Sequence, residues 1–168
     1  MSKHNGPDVI ARLESLERHV RRLEDEREIA HLIAGYGPLA DSGSADDVAA
    51  LWTEDGVYDV DEAFLDGAPA IRRMVESSAH QGWITGGCAH FVGPPRVEVT
   101  GDEAVAVCHS LMVVNTDEGF QVRRATANHW QLRRTPDGWR VTVRTSRVLD
   151  GRTESPALLG AGARGELP

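Results

Sequence analysis

Asp41 stands beside Ser42 and Gly43, five residues after Tyr36, and His90 opens the apolar stretch His90-Phe91-Val92. A carboxylate, a phenol and an imidazole are the groups that general acid–base catalysis uses, the imidazole because its unperturbed pKa is about 6.5. Taken singly, each has an ordinary reading. An Asp before Ser-Gly is commonly a turn residue, and a lone histidine in a strand is commonly structural. His109 and Asn128 are secondary candidates. If the alternate set Val105, Val107, His109 and Leu111 faces inward, His109 becomes a second acid or base. Asn128 and His129 lie on opposite faces of one strand, so one of them at most points inward. His4, His19, His31 and His80 read as surface or helix positions.

Several other chemistries lack their signatures. There is no HExxH, no paired CxxC and no zinc-like spacing of His, Asp or Glu, so no metal site is expected. No glycine-rich loop follows a strand and opens a helix, which leaves nucleotide binding unindicated. Cys88 and Cys108 form no disulfide framework; they read as small buried hydrophobes, or as a thiol near a pocket. The net charge of −8 argues against nucleic acid as a partner, since phosphate binding needs a basic surface. No run of about 18 apolar residues occurs and the N-terminus lacks a signal-like apolar stretch, so the expected setting is the cytoplasm, away from membranes.

The elements that must position these groups are legible in the hydrophobic pattern. The 168 residues, 40% of them hydrophobic, suit one domain of ordinary size. Val9, Leu13, Leu16, Val20 and Leu23 are spaced four, three, four, three, a heptad seam with charges between. The spacing predicts an amphipathic helical extension over 1–26, which either folds back on its own domain or pairs with a second chain. The pattern resumes at Ile29, Ala30 and Ile33 on a shifted face, opening a domain over 27–150. Gly35, Gly37 and Pro38 should disturb the end of this helix, which Asp41-Ser42-Gly43 terminates. Ser44 to Asp47 resembles a capping box, starting a helix with Ala49, Leu51 and Trp52 on its apolar side. Gly56 to Val60 alternates like a short strand, and a third helix follows Gly67 with Ile71, Met74 and Val75 on one face. From about Gly86 the period becomes that of strands. Turns at Gly101-Asp102, Thr116–Gly119 and Thr135–Gly138 separate long strands near 104–115, 120–134 and 139–149. Helices first and an antiparallel meander after predict an α+β fold with helices on one face of a curved sheet. The tail over 151–168, rich in Gly, Ala and Pro, is expected to be flexible or to cover the pocket mouth.

Three segments together carry a resemblance: YGPLADSGSADDVAALWTEDGVYDV, then GGCAHFVG, then GWRVTVRTSRVLDG. They resemble the SnoaL-like family of the nuclear-transport-factor-2-like (NTF2-like) superfamily over roughly residues 25–150. The resemblance implies a cone of helices and sheet around a pocket. It also implies that a carboxylate on the first helix and a histidine on the strand after the third helix meet inside, at Asp41 and His90. In some dehydratases and dehydrochlorinases with such a dyad a Tyr stands five residues before the Asp, and an Arg five residues after the last-strand Trp recurs. Tyr36 and Arg144 match those places; Arg147 is the alternative to Arg144 if a bulge shifts the strand. Pocket walls are expected from Trp52, Tyr58, Trp83, Phe91, Met112 and Trp130 where they face inward, with Trp139 in the core. Family members associate through the sheet, which implies a homo-oligomer, a dimer or trimer.

The implied chemistry is proton abstraction beside a carbonyl. A neutral His90 would be the base and Asp41 would fix its tautomer. Tyr36 would donate to a departing hydroxyl or developing enolate, and Arg144 would hold an anionic or carbonyl group or pair with Asp41. None of this needs a metal or organic cofactor. The expected function is a lyase or isomerase of dehydratase type acting on a hydrophobic, cyclic, polyketide-, steroid- or terpenoid-like substrate. The alternatives are a non-catalytic ligand-binding or assembly module, and a hydrolase or polyketide cyclase.

Overall fold

A computed structural model describes residues 6–168 apart from position 62; His4 lies outside the described residues. The chain opens with one continuous helix, α1 (Gly6–Asp41). It then forms α2 (Ala45–Ala49), β1 (Trp52–Val60), β2 (Ala63–Asp66), α3 (Ala68–Glu76) and α4 (Ser78–Gly86). Five strands follow: β3 (Cys88–Val92), β4 (Arg96–Thr100), β5 (Glu103–Thr116), β6 (Gly119–Thr135) and β7 (Gly138–Val148). The last element is α5 (Glu154–Ala163). No described helix is long and apolar enough to cross a membrane.

The seven strands form one sheet in the order β2-β1-β7-β6-β5-β3, with β4 also paired to β5. All pairings are antiparallel except β1 with β7. β3 and β4 share one edge of β5, opposite Ser110–Val114 and Glu103–Val107 respectively. The class is α+β, a cone with helices against the curved sheet, as the resemblance implies. Its core joins Ile29, Ile33, Tyr36 and Ala40 of α1 to Ile71 and Val75 of α3 and to Ala104, Ala106 and Cys108 of β5. Trp130 and Trp139 are fully buried within it, and the Trp139 indole N–H donates to Asp25 at 3.1 Å.

Two glycines expected to disturb α1 instead lie within it, as does Pro38. Gly37 has a positive role. A Cβ there would overlap the His90 carbonyl oxygen, so only glycine lets β3 lie this close to the helix. Gly35, on another face of the helix, has nothing within 4 Å of a built Cβ. The helix ends after Asp41 in a turn that Gly43 makes with φ +70°.

Three local readings change. The capping box at Ser44 does not form: its hydroxyl bonds Ser42 at 2.8 Å instead of a helix N–H. Trp52 is the first residue of β1, not part of the second helix. A further helix, α4, precedes β3; it is capped by Ser77, whose side chain accepts the His80 N–H at 3.2 Å.

The tail is helical over Glu154–Ala163 and does not line the cavity. It forms α5, which packs on the outer face of the sheet with Leu158 and Ala161 buried. A Cβ on Gly162 would lie 2.6 Å from Val107 and 2.9 Å from His129, so its small residues are what let the helix lie flat on the strands. His129 Nε2 donates to the Glu166 carbonyl at 2.9 Å, and burial lowers its pKa, so it sits neutral under this cover.

Gly37→Ala should destabilise the fold by about 3 kcal/mol, the upper part of the usual range for overpacking. Gly35→Ala should be neutral or stabilising by up to about 1 kcal/mol, as helix propensity dictates. Urea unfolding followed by tryptophan fluorescence checks both.

Candidate active site

The cone holds a cavity of about 210 Å³. Its lining includes Tyr36 from α1, Tyr58 and Val60 from β1, His80 from α4, His90 from β3 and Met112 from β5. Arg124 and Thr126 of β6 and Arg144 and Ser146 of β7 also line it.

At one side Asp41 grips His90 twice. Its Oδ2 accepts the backbone N–H of His90 at 2.7 Å, and its Oδ1 accepts the ring Nδ1–H at 2.6 Å. Both side chains are about one-fifth exposed, so the pair is sheltered yet reachable. An acceptor at Nδ1 places the neutral ring's proton there and leaves Nε2 with its lone pair. Asp41 comes from the last turn of α1 and His90 from the middle of β3; the gap at Gly37 lets those two elements close.

Of two neighbours of this pair, His80 has no signal in the sequence and Cys88 fits the alternative reading of a thiol near a pocket. Cys88, two residues before His90 and on the same strand face, donates its S–H to Asp41 Oδ1 across 3.6 Å. Burial, then the Asp41 charge, pushes the thiol up to about 11, so it is a protonated donor at neutral pH. Cys108, by contrast, is a buried hydrophobe. His80, which the sequence suggests as a surface or helix position, is buried; its ring stacks on that of His90 with centroids 5.7 Å apart. Its Nε2 donates to the Ala40 carbonyl at 3.0 Å, one residue before Asp41. The helix α4 that carries it has no clear periodic pattern, so nothing local marks His80 as buried. Asp41, Cys88 and His90 offer donor atoms within 4.8 Å of one another, the one such grouping of three among the described residues.

The deep wall is built on Arg144. Its guanidinium is 3% exposed, and its carbon lies 4.1 Å from the Tyr36 ring centre, 4.2 Å from Trp130 and 4.5 Å from Tyr58. These π-faces and one amide compensate a cation removed from water. Asn128 Oδ1 accepts from Arg144 Nη2 at 2.8 Å, from Nε at 3.2 Å and from Ser146 Oγ at 2.6 Å. The amide's N–H₂ in turn reaches Ser110 Oγ at 2.9 Å, which pairs with Thr126 Oγ1 at 2.6 Å. Arg144 does not pair with Asp41. Its Nη1 is buried and without a hydrogen-bond partner among the described residues. Tyr36 is 3% exposed, and burial raises its pKa further above the ordinary phenol value, so its hydroxyl stays protonated.

The remaining candidates divide by strand parity. Tyr58 and Met112 line the cavity, while Trp52 is buried behind it, with its ring 6.0 Å from Tyr36. Asn128 faces inward but lies beneath Arg144 rather than on the cavity surface. Phe91 points outward at 59% exposure because His90 beside it points in. Trp83 is 41% exposed on α4. His109 is exposed because the inward set of β5 is Ala104, Ala106, Cys108, Ser110 and Met112. Arg147 binds Asp59 at 2.6 Å and Glu154 at 2.5 Å, tying β7 to β1 and α5 outside the cavity. Arg124, at the cavity, pairs with Asp61.

Alkylation of Cys88 by iodoacetamide, followed by peptide mass, should accelerate with pH up to about 11 rather than level off near the ordinary thiol value of 9.0. Asp41→Asn should move that midpoint down.

A model of the SnoaL-like domain matches residues 21–145. No curated protein matches the chain. Among solved structures, an NTF2-like protein with a cystatin-like fold from Novosphingobium aromaticivorans is 45% identical, with a TM-score of 0.86. That alignment covers 88% of this chain and 96% of that one. Rv3472 from Mycobacterium tuberculosis, a protein of unknown function, is similar at 23% identity and TM-score 0.69, covering 90% and 94% of the two chains. Aln2 from a Streptomyces species is similar at 18% identity and TM-score 0.65, covering 73% and 89%. The last two speak for the fold alone. With three-quarters of its length matched by one family model, and with that fold, the chain belongs to the SnoaL-like family.

Proposed function

We propose that the protein is a cofactor-independent lyase or isomerase of dehydratase type, in which His90 removes a proton beside a carbonyl of a small cyclic substrate. The observation that carries this reading is the pair of hydrogen bonds from His90 to Asp41 at the wall of a partly open, largely apolar cavity. The SnoaL-like family includes enzymes, which agrees with it.

Each residue has a task. Asp41 orients the ring and stabilises the imidazolium that forms when Nε2 takes the proton. Tyr36 supplies a protonated hydroxyl in the same cavity. Arg144, at the cavity wall, supplies a desolvated positive charge that stabilises negative charge developing on the substrate oxygen. If a β-hydroxyl is present, its C–O bond breaks as the double bond forms and it leaves as water with the proton that Nε2 took; if not, the imidazolium returns the proton to another carbon and a double bond shifts. The volume narrows the substrate. A cavity of about 150 Å³ accepts benzene. At about 210 Å³, a substrate of one or two rings fits the enclosed part better than a whole steroid.

Turnover of small cyclic β-hydroxy ketones and enones should fall about 10²- to 10⁴-fold in His90→Ala, the range for loss of a general base. Asp41→Asn should fall comparably, through the wrong tautomer. Equal rates in wild type and both variants would overturn the mechanism. Tight binding with no turnover by the wild type would show a carrier instead.

A further inference from the structure

Residues 8–24 of α1 touch little of the cone, and every side chain among them is exposed. The helix becomes anchored only where Arg22 meets Glu98, Asp25 meets Arg134 and Glu28 accepts the Trp139 N–H. At about 1.5 Å per residue, the free part projects about 25 Å. It carries Val9, Leu13, Leu16, Val20 and Leu23 in water, each between 46% and 59% exposed. These five form a single stripe of heptad type. They do not continue the stripe that α1 buries in its own cone. Ile29, Ile33, Tyr36 and Ala40 lie about 150° around the helix from them, at about 100° per residue. The seam therefore faces away from the domain that anchors it, and a second helix can lie on it without meeting that cone.

We propose that this seam is the contact for a second copy of the same chain, in a parallel two-stranded coiled coil. Two observations choose that occupant and that direction. First, Val20 occupies an a position between Leu16 and Leu23 at d, the arrangement that favours two strands. Second, the flanking charges are self-complementary only in the parallel sense. Arg12 at g falls beside Glu17 of the partner subunit at e, and His19 falls beside Glu24 of the partner subunit. In an antiparallel pair e faces e, and the acidic Glu17 and Glu24 would oppose their own kind. A lipid surface fits less well. Residues 8–26 hold four arginines against six carboxylates, a balance that anionic headgroups repel. Arg27 stands at the next a position, so the seam ends where the two cones must diverge.

Sedimentation and light scattering of the full chain test this. The wild type should have at least twice the 18.3 kDa chain mass. Leu16→Glu with Leu23→Glu should halve that mass or more while the near-ultraviolet tryptophan signal, which reports the cone, stays unchanged. Arg12→Glu and Glu17→Arg should each weaken association about tenfold, and mixing the two variants should restore it, because both cross-pairs become attractive in a parallel heterodimer. A wild type that is monomeric at about 100 μM would overturn the proposal. So would an assembly that survives both glutamates with the cone intact, or a mixture that associates no better than its parts.

Discussion

The carboxylate of Asp41 accepts both the backbone N–H and the ring N–H of His90, so one side chain fixes the strand and aims the imidazole. Much of the architecture serves to bring these residues together. α1 must stay helical through Pro38 to Asp41, and β3 must approach it closely enough that Gly37 has no room for a side chain. β3 is in turn held by β5, with His90 opposite Met112. His80 closes the remaining side, stacked on the His90 ring and hydrogen-bonded to the carbonyl next to Asp41. An imidazole held this way has its tautomer set in advance, which is the preorganisation that the proposed general-base step requires.

The opposite wall solves a different problem. A guanidinium this deeply buried normally pairs with a carboxylate, yet the partners of Arg144 are an amide oxygen and three aromatic faces. The amide of Asn128 is itself held by Ser110 and Ser146, so the charge is fixed without being neutralised. The cavity thus has a basic nitrogen on one side and a fixed positive charge on the other. In the proposed reaction they would meet a substrate that loses a proton and gains charge on oxygen.

The strands were legible in the sequence because turn signals at Gly101, Gly119 and Gly138 separate them and apolar residues dominate between; all three glycines have positive φ. Asp41, His90, Tyr36 and Arg144 stood out through resemblance rather than spacing, and the fold brings all four to one region. What stayed hidden depends on packing rather than local pattern. Strand parity decides that Phe91 and His109 point outward, and one residue of register reverses such an assignment. α4 carries Gly82 and few periodic apolar residues, so neither the helix nor His80 on it was visible. α5, ESPALLGAGA, has the composition of a loose tail; its glycine and alanine faces become helical because they fit flat against Val107 and His129.

The proposed mechanism requires that Asp41 hold the His90 proton on Nδ1 and leave Nε2 as the base. Long-range ¹H–¹⁵N correlation of the histidine side chains at neutral pH, assigned with His90→Ala, measures this directly. His90 should show a protonated Nδ1 and an unprotonated Nε2, and Asp41→Asn should abolish that preference. A His90 ring protonated on Nε2 in the wild type, or a tautomer indifferent to Asp41→Asn, would contradict it.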